Sequence, residues 1–359
     1  MSDNQQIIKN IILQKKGVSV AEFISLANTS TAKSYYRNSL PIGVKGDFVT
    51  SSEISQMFGE IIALWILDIW QNKFSRAKIQ LLELGPGNGT LMSDILRITK
   101  NMGKFHQNIE IYLFDVNQAL IKEQKHALKN FTPTIKWVKN IAEIPRNPTI
   151  VIANEFFDAL GVRQFIKKGE NWYEIFVNVN KENALYLQEN KCSEFDILKK
   201  LENHVNATQN GVVEMNIESM EFLQSLLTHF KNIAGIFIDY GYNIDAKIRT
   251  KYQYNSTIQA LKNHKYIDVY KDFAYADISS HVDFNTLENV IFSNGLKSSY
   301  STQRDFLINY GINIRHNMLK KLNPSSGELL DKEVDYLTSV KYMGDLFKIL
   351  TFYPKAKDR

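Results

Sequence analysis

Short apolar runs alternate with amphipathic segments through the middle of the chain. Four runs have the length of buried strands, and two segments carry apolar residues at helical spacing. The runs are residues 79–84, 109–115, 134–138 and 149–154, and the helical segments are residues 90–99 and 117–128. This alternation is typical of a parallel, doubly wound α/β sheet. Later runs at residues 235–241, 296–303 and 345–353 are predicted to return the chain to the sheet and close it.

Helical spacing also dominates the chain before the first predicted strand. Residues 5–30 are predicted to form two short helices, and residues 54–69 a longer helix with its apolar face toward the core. Ser51 or Ser52 is predicted to cap the longer helix. A helical N-terminal cap is therefore expected ahead of the sheet.

The strand–helix alternation stops after residue 160. Residues 161–192 have the pattern of β-hairpins, and a polar helical stretch follows to about residue 209. A β-rich insertion in the sheet domain is therefore expected. The predicted domains are residues 1–78 (helical cap), 79–160 (first half of a cofactor-binding Rossmann-like domain), 161–232 (inserted substrate-recognition subdomain) and 233–359 (second half of the Rossmann-like domain).

Composition and charge narrow the class of protein. The net charge of +5, from 43 basic and 38 acidic residues, comes without a basic block dense enough for a nucleic-acid groove. The apolar runs are too short to span a bilayer, so no membrane insertion is predicted. The single cysteine, Cys192, excludes an internal disulfide, and no metal site is predicted. The N-terminal sequence has the features of neither a signal peptide nor a transit peptide, so a cytoplasmic, bacterial-type protein is expected.

The first predicted strand ends in an acid and then three alternating glycines, in the stretch LLELGPGNGT. These glycines are Gly85, Gly87 and Gly89. The dinucleotide fingerprint G-x-G-x-x-G does not fit, because Thr90 stands where its third glycine would, and the P-loop's Lys-Ser/Thr pair does not follow. The arrangement E-x-G-x-G-x-G fits S-adenosylmethionine better. Glu83 would face the cationic methionine part, and the glycines would let the main chain approach the nucleoside.

Other polar residues stand at the ends of further predicted strands. Asp115 ends the second strand, where a carboxylate can accept hydrogen bonds from both ribose hydroxyls. Asn154 and Asp239 lie at two more strand ends, and ligands of parallel sheets bind at this carboxyl edge. Four polar residues of the N-terminal cap are candidates to close over the cofactor, namely Thr50, Glu53, Ser55 and Gln56, with Thr50 and Gln56 preferred. The alternative is that they form the polar face of a helix. S-adenosylmethionine is therefore the predicted cofactor.

A resemblance to a known family runs from about residue 20 to the C-terminal end, and seven segments carry it in order. They are YYRNSLPIGVKGDFVTSSEISQMFGE, LLELGPGNGTLMSDILR, NEFFDALGVRQF, FIDYGY, STIQALKNH, DISSHVDF and MGDLFKIL. In content and order they resemble the MidA-type methyltransferases, whose mitochondrial members are assembly factors of respiratory complex I. The resemblance implies a class I S-adenosylmethionine-dependent methyltransferase fold with a helical cap and an insertion. It also implies symmetric dimethylation of an arginine on the quinone-site core subunit of NADH:quinone oxidoreductase, which would be the protein partner.

The chain departs from that family's pattern at three positions. The family usually has Glu where Asp115 stands, Pro where Gly161 stands, and Gly near Tyr275. Asp115 keeps the negative charge on a shorter side chain, so cofactor binding is expected to persist. The other two changes alter the stiffness of loops and therefore bear on substrate recognition.

The stretch NEFFDAL follows the fourth predicted strand, where amine methyltransferases carry acceptor-binding groups. An arginine acceptor is cationic and a poor nucleophile, because the guanidinium pKa is about 13.8. A carboxylate can hold its N–H fork and aim one nitrogen at the methyl group. Glu155 is the first candidate for this clamp and Asp158 the second. The alternatives are that Glu155 caps a following helix and that Asp158 is solvated.

Two aromatic residues and a histidine complete the candidate acceptor site. Phe156 and Phe157 either wall a pocket and stack on the guanidinium or belong to the core. His281, in DISSHVDF, either accepts a proton, bonds the substrate backbone, or is a structural loop residue. The predicted catalytic residues are Glu155, Asp158 and His281. Two other functions stay open: methylation of another amine, and a non-catalytic assembly chaperone that binds the cofactor.

Overall fold

The computed structural model describes residues 3–30, 34–35, 50–262, 265–273 and 276–355. Its strands are, in chain order, β1 (Val18–Ser19), β2 (Ile79–Leu84), β3 (Ile109–Phe114), β4 (Ile135–Val138), β5 (Thr149–Asn154), β6 (Arg163–Lys168), β7 (Asn171–Val179), β8 (Leu185–Lys191), β9 (Val212–Met215), β10 (Ile233–Tyr242), β11 (Gln259–Lys262), β12 (Lys265–Ile267), β13 (Asp277–Ser279), β14 (Val282–Asp283), β15 (Leu296–Thr302) and β16 (Phe347–Pro354). Its α-helices are α1 (Asp3–Lys15), α2 (Val20–Ser25), α3 (Ser51–Ile54), α4 (Gln56–Asn72), α5 (Thr90–Ile98), α6 (Gly103–Gln107), α7 (Gln118–Leu128), α8 (Phe195–Leu201), α9 (Ile217–His229), α10 (Phe284–Ser293), α11 (Gln303–Asn309), α12 (Ile312–Leu322), α13 (Gly327–Thr338) and α14 (Met343–Leu346). Within the described ranges, no helix combines the length and the apolar character needed to cross a membrane.

The chain divides into two compact units. The sheet unit consists of residues 42–156, 224–241 and 288–359, and the insertion unit of residues 1–41, 157–223 and 242–287. The described residues 3–30 and 34–35 therefore group with the segment after residue 156, rather than with residues 50–78. The predicted domain bounds, with residues 1–78 as one cap, stay a prediction.

The sheet unit contains the doubly wound sheet that the apolar pattern predicts. Its strands lie in the order β15-β16-β10-β5-β2-β3-β4. The five strands from β10 to β4 are parallel, and β16 pairs antiparallel with β10 and β15. The strand order reverses between β2 and β5, so their carboxyl ends form the switch point at which ligands of such sheets bind.

Helices cover the central strands, which explains why these strands are continuously apolar. All six residues of β2 are buried, and so are the first five of β5. Ile61 and Trp65 of α4 and Ile95 of α5 join Leu81 and Ile150 of these strands in one hydrophobic core. This core holds the carboxyl ends of β2, β3 and β5 at fixed positions.

The N-cap of α4 is Ser55. Its Oγ accepts a hydrogen bond from the Met57 amide at 3.3 Å and donates one to Glu333 Oε2 at 2.6 Å. The predicted cap at Ser51 or Ser52 is therefore wrong. Those two serines lie in the separate short helix α3, and the chain is extended at Ser55 before α4 begins.

The insertion unit is built on two antiparallel sheets. The larger has the order β1-β7-β6-β9, with β8 also paired to β7, and the smaller has the order β12-β11-β13. The predicted hairpins are confirmed as β6, β7 and β8, and the predicted helical stretch is confirmed in part as α8. β1 pairs with β7 through Val18 and Val177, so N-terminal residues extend the hairpin sheet.

Candidate functional site

The glycine turn follows β2 directly. The backbone is left-handed at its three glycines, with φ of 60° at Gly85, 54° at Gly87 and 84° at Gly89. The Gly85 amide donates to the Phe114 carbonyl at 3.0 Å, which holds the start of the turn beside the end of β3. A Cβ on Gly89 would lie 3.3 Å from Cα of Gln124 in α7. The turn thus requires glycine both for its conformation and for its close approach to a helix.

Glu83 lies inside the sheet, level with Leu113 of β3 and Ile152 of β5. It is 2% exposed, and its Oε2 has no hydrogen-bond partner among the described residues. Burial, and then the charge of Asp115, raises the pKa of the Glu83 carboxyl to about 8. An ionised carboxylate is costly in such surroundings unless a cation approaches it.

Asp115 follows β3 and is largely buried. Its Oδ1 accepts a hydrogen bond from the Asn117 amide at 2.8 Å, and its Oδ2 accepts one from Gln124 Nε2 at 2.7 Å. Burial raises the pKa of the Asp115 carboxyl, and these hydrogen bonds act in the opposite direction. The Val116 backbone also hydrogen-bonds this carboxylate. A carboxylate has about four acceptor sites, so Asp115 can still accept a hydroxyl donor.

Gln124 is a residue of this site that the sequence analysis missed. Its Nε2 donates to Asp115 Oδ2 and, at 2.8 Å, to the Gly87 carbonyl. Its Oε1 accepts from Trp137 Nε1 at 2.8 Å. Gln124 lies on the buried face of α7, one turn after Leu120. A glutamine at an apolar-face position is the signal that could have indicated a buried polar contact.

β5 ends at Asn154, and the next residue has a strained backbone. Glu155 has a φ of 53°, a left-handed conformation that is uncommon outside glycine and often marks functional sites. Its amide donates to the Ile238 carbonyl of β10 at 2.8 Å, and Asn154 Nδ2 donates to Glu155 Oε1 at 3.3 Å. Asn154 Oδ1 is buried with no hydrogen-bond partner among the residues that the structure describes. The chain then runs through turns to β6, and every residue of this stretch is described. The alternative that Glu155 caps a helix is therefore wrong.

The two phenylalanines of NEFFDAL have different surroundings. Phe156 is half-buried, and a Cβ built on Gly85 would lie 3.1 Å from its Cδ2. Its ring meets Phe114 nearly edge-on, with 6.3 Å between the ring centroids. Phe157 is fully buried in the insertion unit, where its ring meets Phe222. Phe156 thus lies beside the glycine turn, whereas Phe157 belongs to a core.

Glu53 is the acid before α4 that contacts the glycine turn. Its Oε1 accepts a hydrogen bond from Asn88 Nδ2 at 2.9 Å, and burial raises the pKa of its carboxyl. Thr50 is buried with its hydroxyl 3.0 Å from that of Ser52, and Gln56 is exposed at the start of α4. Cofactor contacts of Thr50 and Gln56 stay predictions. Most of the aromatic segment before Thr50 lies outside the described residues.

Asp158 and His281 both belong to the insertion unit. The Ser280 amide donates to the Asp158 carbonyl at 3.0 Å, and the His281 amide donates to Thr257 Oγ1 at 2.9 Å. Asp158 is 5% exposed, so the alternative of a solvated Asp158 is wrong. Burial lowers the pKa of the His281 imidazole, because it disfavours the charged form.

The departure at Gly161 comes with a contact that a proline cannot make. The Gly161 amide donates to Glu218 Oε2 at 2.9 Å, and proline has no N–H. A Cβ at this position would lie 2.5 Å from the Ala21 carbonyl oxygen. Packing and one hydrogen bond therefore restrain the loop at Gly161, in place of the proline ring that is usual in the family. The third departure, near Tyr275, lies outside the described residues.

A family model described as putative S-adenosyl-L-methionine-dependent methyltransferase matches residues 61–302. The match covers all five parallel strands, the glycine turn and residues 161–232 of the insertion. The chain belongs to this methyltransferase family. The assignment confirms S-adenosylmethionine as the predicted cofactor and methyltransferase as the predicted class of enzyme.

Curated relatives match nearly the whole chain. The Danio rerio protein named "protein arginine methyltransferase NDUFAF7, mitochondrial" is 30% identical over 99% of this chain and 89% of its own length. The Homo sapiens protein of the same name is 29% identical over 95% of this chain and 81% of its own length. Because the names of these relatives state that they are mitochondrial, the expectation of a cytoplasmic protein is wrong.

A crystal structure from Burkholderia thailandensis has the same fold. It matches with a TM-score of 0.88 at 21% identity, over 98% of this chain and 91% of that chain. That protein is described as a candidate methyl transferase bound to S-adenosyl-homocysteine. A second structure from the same organism matches with a TM-score of 0.85 at 21% identity. The likeness confirms the predicted class I methyltransferase fold.

Proposed function

We propose that this methyltransferase acts on an arginine side chain of a protein. Relatives named protein arginine methyltransferase match 95% or more of the chain, which supports this acceptor. In the structure, the position and backbone conformation of Glu155 carry the proposal. This acid stands directly after β5 with a left-handed φ of 53°, at the carboxyl edge of the sheet where ligands bind.

The residues at the ends of β2 and β3 fit S-adenosylmethionine. When bound, this cofactor supplies an electrophilic methyl group on a sulfonium centre. Glu83 offers a buried carboxyl to the cationic methionine part, and Asp115 offers acceptors to the ribose hydroxyls. The left-handed glycines leave the main chain open to close approach. The remaining proposed cofactor contacts are Gly85, Gly87, Gly89, Asn154, Thr50 and Gln56.

Glu155 is suited to hold a guanidinium group. Its carboxylate can accept the N–H fork bidentately, which localises positive charge on the far nitrogens and orients the near one. Its negative charge also offsets the repulsion between a cationic acceptor and a cationic donor. Phe156, beside Gly85, can stack on the planar group. The Asn154 amide, which donates to Glu155 Oε1 at 3.3 Å, contacts the carboxylate that would hold this group.

We further propose that the substrate is the quinone-site core subunit of respiratory complex I. This rests on the resemblance to the MidA-type family. Residues 161–232 are the proposed substrate-recognition segment. Asp158 is the second candidate for the acceptor clamp, and His281, in the segment DISSHVDF, is the proposed proton acceptor.

The test is transfer of isotope-labelled methyl groups to the purified subunit, with the modified residue located by mass spectrometry. We expect the label in symmetric dimethylarginine. Gly87→Val is the control, because a branched side chain at a left-handed φ of 54° should block the turn and abolish transfer. Label on another amine would show that arginine is not the acceptor. Cofactor binding without any methyl transfer would favour the alternative of a non-catalytic assembly chaperone.

A further inference from the structure

Gln124 joins three parts of the sheet unit through one buried side-chain amide. Its Nε2 donates to Gly87 O at 2.8 Å and to Asp115 Oδ2 at 2.7 Å. Its Oε1 accepts from Trp137 Nε1 at 2.8 Å. The side chain is 0% exposed, so these partners replace water entirely. One amide thus links the glycine turn, the residue after β3 and strand β4.

Trp137 fixes the orientation of this amide. An indole N–H can only donate, so it requires the Gln124 oxygen as its acceptor. The NH₂ group must then face the Gly87 carbonyl and the Asp115 carboxylate, which are both acceptors. In a flipped amide, the Gln124 oxygen would face the oxygens of Gly87 and Asp115, and its NH₂ group would face the Trp137 N–H. Such unpaired contacts are costly in a buried site. The three contacts are therefore mutually consistent in one orientation only.

We infer that Gln124 is a positioning residue for the nucleoside part of the cofactor. It holds the glycine turn and the Asp115 carboxylate in one fixed arrangement, and its N–H favours the ionised carboxylate that accepts ribose hydroxyls. The inference rests on the proposed cofactor site. Gln124 acts through Gly87 and Asp115 and needs no contact with the cofactor itself.

The test compares two ligands, S-adenosyl-homocysteine and its 3′-deoxyribose analogue, by calorimetry on the full chain. Gln124→Met keeps a similar volume but removes both donors. Loss of a hydrogen bond to a charged group should raise the dissociation constant of S-adenosyl-homocysteine by about tenfold or more. The analogue lacks a hydroxyl for Asp115, so its affinity should fall much less. The preference for the hydroxylated ligand should therefore shrink toward one.

Gln118→Met is the matched control, because Gln118 is an exposed residue of the same helix. It should keep the wild-type preference between the two ligands. If the role of Gln124 were purely structural, Gln124→Met would lower the melting temperature and weaken the binding of both ligands equally. The ratio of their two dissociation constants would then stay unchanged. That unchanged ratio in a folded Gln124→Met protein would overturn the inference.

Two further outcomes separate the inference from the proposed site. If wild-type protein does not bind S-adenosyl-homocysteine at all, the cofactor site itself is wrong. If Gln124→Met does not fold, Trp137→Phe decides, because it removes the donor that orients the amide and keeps an aromatic ring in β4. A several-fold loss of ligand preference in that variant supports the inference, and an unchanged preference contradicts it.

Discussion

Replacing Glu83 by glutamine should make the ligand-free protein more stable at alkaline pH. Glu83 is fully buried, and its Oε2 has no hydrogen-bond partner among the described residues. Burial therefore favours its neutral, protonated form. Glutamine has the shape of that neutral form and does not titrate. Glu83→Gln should thus remove a pH-dependent penalty from the folded state.

The magnitude follows from the shift of the Glu83 pKa from 4.5 to about 8. At 1.36 kcal/mol per pKa unit, the full penalty is about 5 kcal/mol. Because the folded pKa is the higher one, the folded state retains the proton that the unfolded chain has lost. The free energy of unfolding therefore falls as the pH rises from about 4.5 to about 8. Between pH 6 and pH 9 this loss amounts to about 3 kcal/mol.

Equilibrium urea unfolding of wild type and Glu83→Gln at pH 6 and pH 9 measures this effect. The stability advantage of the variant should grow by about 3 kcal/mol between the two conditions. Glu110→Gln is the matched control on the neighbouring strand β3. Lys78 lowers the pKa of Glu110, which stays ionised at both pH values, so this variant's difference from wild type should not change. An equal Glu83→Gln difference at both pH values would refute the burial argument.

Three further variants test other parts of the site. Asp115→Ala should weaken S-adenosylmethionine binding by about ten- to a hundredfold in calorimetry, because hydrogen bonds to a charged group are lost; wild-type affinity would rule out its role. Glu155→Gln should slow single-turnover methyl transfer by about 10²-fold or more with cofactor affinity within a few-fold of wild type; near-normal turnover would exclude the clamp. Gly161→Ala should cost about 1–3 kcal/mol in thermal melting, because its Cβ would lie 2.5 Å from a backbone oxygen. Gly103→Ala, with nothing within 4 Å of its Cβ, is the control, and equal melting of the two variants would contradict the packing argument.

The sheet and the glycine turn could be predicted because their signals are local. The apolar run predicts a strand at residues 149–154, and β5 occurs at Thr149–Asn154, because a short continuous apolar run is typical of a buried strand. The turn follows from three glycines at fixed spacing after an acid. Both signals depend on residue type alone, so a single sequence contains them.

Other features depend on where the chain places a residue. The stretch TSSEIS offers several cap residues in a row, and only the backbone shows that Ser55 begins α4. β1 has two residues, too few for any period, so its pairing with β7 could not be predicted. The strain at Glu155 is a backbone angle, which no residue type specifies. The adjacent Phe156 and Phe157 have different surroundings, which their identical residue type could not indicate.

The role of Gln124 is a further feature that needs the three-dimensional structure. Its partners are 13 and 37 residues away for Trp137 and Gly87, and nine for Asp115. No local pattern in the chain relates these positions. The sequence could indicate only that a polar side chain stands on an apolar helix face.

Mass spectrometry of the quinone-site core subunit of complex I, from cells with and without this protein, tests the central proposal most directly. We expect a symmetrically dimethylated arginine that disappears when the protein is removed and returns with the wild-type chain. Glu155→Gln should fail to restore it, although Glu143→Gln, which changes an exposed acid of the sheet unit, should restore it fully. An arginine whose methylation is the same with and without the protein would contradict the account.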